Sequence, residues 1–257
     1  MNKEKKPLIL VTNDDGITAP GIKALVEVAR TMGEVVIVAP DSPQSGMGHA
    51  ITVNAPLRLN EGEYFDGLVN YSTSGTPVDC VKIAIDQVMH QRPDLIVSGI
   101  NHGSNASTNV IYSGTMSAAV EGAVENIPSI GFSLMDHDYD ADFEPSKPFV
   151  KKIIEQALSN DFPDHTCLNV NIPKASEEQI KGIQVCSQAT AFWENGFDKR
   201  TDPLGKPYYW LSGYFKNHDG RPNTDLVALE NKYVAVVPIH FDMTAYQHME
   251  SIKEWKL

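Results

Sequence analysis

Clusters of basic residues are missing from this chain: 21 Lys and Arg stand against 33 Asp and Glu, for a formal net charge of -12. Nucleic-acid polymers are held chiefly by Lys and Arg at their phosphates, so this balance argues against general nucleic-acid binding. An anion bound to such a surface needs local help, from a cation or from N–H groups at a helix start. Cysteine is scarce too. Cys80, Cys167 and Cys186 are odd in number, far apart and set among apolar residues, which excludes a disulfide scaffold and reads as reduced core side chains in a cytoplasmic protein. No run approaches the ~20 apolar residues of a membrane span, and the apolar stretch after the basic start "MNKEKK" is too short for a secretory leader. Repeats and low-complexity tracts are also lacking, and a composition 42% hydrophobic and 21% charged predicts an ordered globular chain throughout.

What is present alternates. "LILV" (8–11), "EVVIVAP" (34–40), "DLIVSGIN" (94–101) and "PSIGFS" (128–133) read as buried strands, separated by the helical patterns "GIKALVEVARTMG", "GTPVDCVKIAIDQVM" and "SGTMSAAVEGAVEN". Gly33 is the expected stop of the first helix. The second has its own start signal, with Thr76 as N-cap, Pro77 as first helical residue and Asp79 complementing the dipole. Strands divided by helices predict βαβ units, hence an α/β fold with a mostly parallel, doubly wound sheet. After Ser133 the pattern loosens. "FVKKIIEQALSN" predicts a helix, "CLNVNIP" and "GIQVCSQ" short strands, and the stretch from "PYYWLSGYF" to "NTDLVALENKYVAVVPI" strands joined by loops, with Glu230–Lys232 as a hairpin turn. We read 1–257 as a single domain, in which 1–133 forms the core with its site and 134–257 the remaining core elements plus a strand-rich appendage.

Three loops follow strand ends, where ligands bind in open parallel sheets. In "TNDDG", neighbouring strand side chains point to opposite faces, so Asp14 and Asp15 can address one point only if the backbone turns, which Gly16 permits. Two such carboxylates repel unless a divalent cation joins them; the plainer reading is an Asx-type turn before a helix. "PDSPQSGMGHAIT" offers the Ser45 hydroxyl beside Gly46 and Gly48, against the plainer reading of a surface loop, and His49 is given no role. In "SGINHGSNASTNVIYSGTMSAAVEG", Asn101 supplies a neutral carbonyl oxygen, Gly103 and Asn105 shape the loop, and Ser113, Gly114 and Thr115 open a helix as a ready anion site; ordinary N-capping is the alternative. His102 is a loop residue whose neighbour makes it worth testing. The all-oxygen set suits Mg²⁺ or Mn²⁺ rather than zinc, and a hard cation beside an anion pocket points to phosphoryl chemistry.

The blocks "NDDG" with "APGI", "QSGMGHAIT", "GTPVDCV", "SGINHGSN" and "YSGTMSAAVEGA" occur in an order that resembles the SurE family of metal-dependent nucleotidases, and "NTDLVALENKYVAVVPIHFDMT" is similar to that family's C-terminal strand segment. The resemblance implies a Rossmann-like core and a phosphomonoesterase acting on nucleoside 5'-monophosphates, with 3'-nucleotides and short polyphosphate as further substrates. It implies one divalent metal ion per subunit, Mg²⁺ or Mn²⁺, held by Asp14, Asp15, Ser45 and Asn101, with Asp14 and Asp15 as the catalytic acids. Phosphate is then expected at Asn105, Ser113, Gly114 and Thr115. It further implies a homodimer or homotetramer in which the C-terminal appendage exchanges between subunits. Ser107 and Asn109 depart from the family's usual glycine and aspartate, which bears on loop shape and substrate preference. Two rivals meet obstacles in the sequence: a phosphoacceptor receiver module lacks its acceptor Asp and late Lys, and a D-x-D phosphatase needs a spacer between its acids. A non-catalytic nucleotide-binding regulatory protein is the alternative that only turnover distinguishes.

Overall fold

The computed structural model describes residues 6–138 and 140–255. The chain builds β1 (Leu8–Thr12), α1 (Pro20–Ala29), β2 (Glu34–Pro40), β3 (Leu59–Glu61), β4 (Val69–Thr73), α2 (Pro77–Ile83, continued by a π-helical turn over Ala84–Val88), β5 (Leu95–His102), α3 (Gly114–Val124) and β6 (Ser129–Leu134). It continues through α4 (Lys147–Ser159), β7 (Thr166–Ile172), β8 (Ile183–Val185), β9 (Ala191–Thr201), β10 (Pro207–Asn217), α5 (Asp225–Glu230), β11 (Val234–His240) and α6 (Met249–Lys253). Nine strands make one sheet in the order β3-β4-β2-β1-β5-β6-β7-β11-β8, while β9 and β10 pair only with each other. From β4 to β7 the neighbours run parallel; β3 is antiparallel to β4 and β11 to β7, while β8 runs parallel to β11. The mostly parallel α/β class expected from the alternation is the class observed.

Alternation along the strands sorts the core. Ile9 and Val11 face the layer of α1 and α4 with Ile22, Leu25, Val150 and Ile154, whereas Leu8 and Leu10 face α2 and α3 with Cys80, Val81 and Ala118. A strand buried on both faces has no polar side to show, so "LILV" is continuously apolar. Thr76 caps α2 as expected, in a reciprocal box: Asp79 N–H donates to Thr76 Oγ1 at 3.2 Å and Thr76 N–H to Asp79 Oδ2 at 2.9 Å.

Some expectations fail. The first helix ends at Ala29 rather than running to Gly33; Arg30 to Gly33 close it with turn hydrogen bonds back to Val26, Val28 and Ala29. The proposed hairpin turn at Glu230–Lys232 is instead the end of α5, capped at its start by Thr224 Oγ1. With six residues that helix is too short to display a 3.6 period. Nor was the pair β3 and β4 foreseen, since "LNE" and "VNYST" carry little apolar patterning. After Ser133 the chain divides: β7, β11 and β8 extend the main sheet, and the β9–β10 hairpin stands outside it.

Candidate active site

Strand order reverses beside β1. The chain moves outward from β1 through β2 to β4, then returns to β1's other edge with β5 and proceeds to β6 and β7, so the carboxyl ends of β1 and β5 flank the switch point where a crevice must open. Asp14 follows one of these strands and Asn101 lies near the end of the other.

At the end of β1 the turn is closed by Asn13 Nδ2, which donates to the Gly16 carbonyl at 2.9 Å, with Gly16 at φ 97°, a left-handed value that favours glycine. Asp14 is buried and its Oδ1 accepts a short hydrogen bond from the Thr115 hydroxyl. The carboxylate lies against the first residue of α3: a Cβ on Gly114 would stand 2.6 Å from Asp14 Cβ and 2.9 Å from its Oδ2. Only a glycine at that helix position lets the acid approach so closely. Burial pushes the Asp14 carboxyl up to about 6, the charge of Asp15 adds to the rise, and the Thr115 hydroxyl and N–H oppose it. Asp15 is more open, with Oδ2 3.3 Å from His102 Nδ1 and 3.4 Å from the His102 N–H. His102 thus ends β5 with its ring on an acid of the pair and its face edge-on to Phe143.

Asn101 is oriented by its own loop. Its Nδ2 donates to the His102 and Gly103 carbonyls at 3.0 and 2.8 Å, which turns Oδ1 away from them as the amide's acceptor end. Ser45 is exposed, but its loop is pinned on both sides. Gln44 N–H donates to the Asp14 carbonyl at 2.7 Å, Gly48 N–H to the Tyr112 carbonyl at 3.2 Å, and His49 Nε2 meets buried Glu121 Oε2 at 2.9 Å. Glu121 also takes Lys82 at 2.6 Å; these two partners hold its carboxyl below the ordinary range. His49, given no role on the sequence, is a loop anchor.

The helix start differs from expectation in detail. Ser113 Oγ accepts from Met116 N–H at 3.0 Å and so serves as N-cap, while the Thr115 hydroxyl is spent on Asp14. What the first turn of α3 offers an anion is chiefly its backbone N–H groups. Asn105 is almost wholly buried, its Nδ2 on Ser133 Oγ at 2.8 Å. Two residues that the sequence reading passed over grip it: Asn171 Oδ1 accepts from Asn105 N–H at 2.7 Å, and Asn169 Nδ2 donates to the Asn105 carbonyl at 2.9 Å. The signal was available, because two amides at i and i+2 on one face of a buried strand must find polar partners.

The donors fit a hard divalent cation. Two carboxylates, one of them buried and with its pKa raised first by burial and then by its neighbour's charge, and the amide oxygen of Asn101 at the adjoining strand end are hard oxygen donors of the kind such a cation takes; among the described residues no group of three or more His, Cys, Asp or Glu forms a metal cluster. A cavity of about 610 Å³ lies at the opposite, amino ends of the strands, beside Pro7, Asp94, Pro128 and Thr166, remote from this chemistry.

Comparison with known proteins places the chain among relatives. The family model described as Survival protein SurE matches residues 9–195. A protein of Flavobacterium psychrophilum named 5'-nucleotidase SurE is 59% identical over 253 residues, covering 98% of each chain, and one of the same name from Cytophaga hutchinsonii is 54% identical with the same coverage. The crystal structure of the SurE protein from Aquifex aeolicus superposes with a TM-score of 0.84 at 40% identity, covering 96% of this chain and 98% of that one. With the sequence blocks, the switch-point crevice and these relatives in agreement over nearly its full length, the chain belongs to the SurE family.

Proposed function

We infer that the protein is a metal-dependent 5'-nucleotidase, a phosphomonoesterase that hydrolyses nucleoside 5'-monophosphates to nucleoside and phosphate. The observation that carries this reading is the junction of buried Asp14 with the first turn of α3, flanked by Asn101 on the adjoining strand. Asp14, Asp15, Ser45 and Asn101 would hold one divalent ion per subunit, Mg²⁺ or Mn²⁺. When bound, such an ion supplies charge neutralisation at the phosphoryl oxygens. The chain's own residues do the rest. The Gly114 N–H, with Ser113 and Asn105 beside it and Thr115 holding Asp14 in place, would face the remaining phosphate oxygens, where charge grows in the transition state. Thr115 orients Asp14 through its hydroxyl, and Asp15 lies beside His102, so that an acid of the pair would be available to orient an attacking water. 3'-Nucleotides and short polyphosphate present the same terminal phosphate and belong to the proposed range.

Self-association to a homodimer or homotetramer is part of the proposal, supported by the exposed apolar side chains of β9, β10 and the segment after β11, which would exchange between subunits. Among the described residues no helix is long and apolar enough to cross a membrane. A cytoplasmic location is supported by three free, buried cysteines.

Phosphate release from 5'- and 3'-nucleoside monophosphates and polyphosphate, with Mg²⁺, Mn²⁺ or EDTA, is the test. Release that depends on the metal and vanishes in EDTA is the expected result. Tight nucleotide binding by folded protein with no phosphate released under any metal overturns the catalytic reading in favour of a regulatory binding protein.

A further inference from the structure

Between Asn105 and Ser113 the chain leaves the crevice, forms a 3₁₀ turn over Ser107–Ile111 and passes the root of the β9–β10 hairpin. Ser107 begins that turn with φ 56°, a left-handed backbone that carries a steric penalty for any residue with a Cβ. Its side chain repays the penalty. The hydroxyl is 2.9 and 2.8 Å from the Ala189 and Ala191 carbonyls, to which it can donate, and accepts from Ala191 N–H at 2.9 Å. Its own N–H donates to Asp225 Oδ2 at 2.7 Å, while Asp225 Oδ1 accepts from Ala189 N–H at 3.0 Å. One carboxylate therefore holds both sides of a junction whose partners lie 82 residues apart in the chain. Ser107 and Asp225 are both fully buried. Farther out, Thr108 Oγ1 donates to the Ala191 carbonyl at 2.6 Å and Trp193 Nε1 to Asn109 Oδ1 at 3.2 Å.

The Asp225 carboxylate is met by backbone N–H donors from three segments, Ser107, Ala189 and Leu226. Apolar packing stabilises as well as a buried charge does, or better, so what the carboxylate adds is geometry: two oxygens set two backbones at a fixed separation. The segment so fixed runs directly into Asn105 on one side and the N-cap of α3 on the other.

We propose that Ser107 and Asp225 are positioning residues that join the hairpin root to the phosphate-binding loop, so that the order of the hairpin sets the order of the loop. The kinetic part rests on the nucleotidase reading; the structural part does not. Ser107→Gly permits the same backbone, with the positive φ relieved, and removes the CH₂OH group with its three hydrogen bonds. It should raise KM for adenosine 5'-monophosphate about tenfold, the worth of one or two net hydrogen bonds, and leave kcat within about twofold. Hydrogen exchange in Ser107→Gly should quicken across 104–112 as well as across 189–193. Asp225→Asn keeps the shape, removes the charge and should act in the same direction, while Trp193→Phe should give a smaller version of the same pattern. Faster exchange confined to 189–193 with KM unchanged overturns the proposal and leaves a purely structural contact. If the unaltered protein releases no phosphate, the nucleotidase reading falls, and the exchange pattern alone decides the coupling.

Discussion

The body of the sheet and the β9–β10 hairpin are both β-structure built from apolar and aromatic residues, yet they treat those residues in opposite ways. All five residues of β1 are buried, whereas ten of the eleven in β10 are exposed, among them Trp210 and Leu211. A strand in the body satisfies its backbone and both faces within one chain. The hairpin satisfies only the inner edges of its two strands. The contrast teaches that the body's sequence is written for folding and the hairpin's for a surface that the single chain does not cover, which is why self-association is proposed for it.

The sharpest way to break that division is at the site, which belongs to the body. Asp14→Asn should lower phosphate release by about 10³-fold or more while light scattering shows an unchanged assembly, since the loss is electrostatic and local. Unaltered activity in the folded variant would remove Asp14 from the catalytic centre. Next comes the core itself. Phe132→Ala, at a fully buried position, should cost about 3–5 kcal/mol in urea unfolding. Trp210→Ala on the hairpin should cost within about 0.5 kcal/mol at dilution that disfavours assembly, and show its effect in light scattering instead. Equal losses in unfolding would erase the distinction between the regions.

Gly114→Ala tests the meeting of helix and acid. With no room for a Cβ beside the Asp14 Cβ, the turn after β1 or the start of α3 must shift, and kcat/KM should fall about 10²-fold together with a lowered melting temperature. The smallest effect concerns Glu121, whose carboxyl is held below its ordinary value by His49 and Lys82. A lowered carboxyl pKa contributes stability that is present above the unfolded value and lost as pH falls through the folded one. Unfolding free energy should therefore fall slightly as pH drops through the carboxylate range, the loss discounted because both partners are partly exposed, and Glu121→Gln should flatten that slope. A slope identical in the variant would assign the acid sensitivity elsewhere.

How much was legible follows the same line. "LILV", "EVVIVAP" and "DLIVSGIN" announce themselves because burial on both faces forces continuous apolar runs, and "TNDDG" because an acid pair at a strand end is costly without a purpose. Asn169 and Asn171 were passed over because alternating polar residues look like an ordinary half-exposed strand; only the sheet order reveals that their face meets the loop at Asn105. Ser107 and Asp225 were hidden for a different reason. Their partners lie about 80 and 120 residues away, and no local pattern carries such a pairing.

The hydrogen bond from Thr115 to Asp14 spans 101 residues. During synthesis the acid pair therefore leaves the ribosome as a bare surface charge, without the helix start against which it is later held. A nascent chain that ends before Thr115 has both acids of the pair but lacks the hydroxyl that holds Asp14. Catalytic competence in this protein therefore cannot precede the synthesis of α3, and the acid pair waits for a helix that starts about a hundred residues after it.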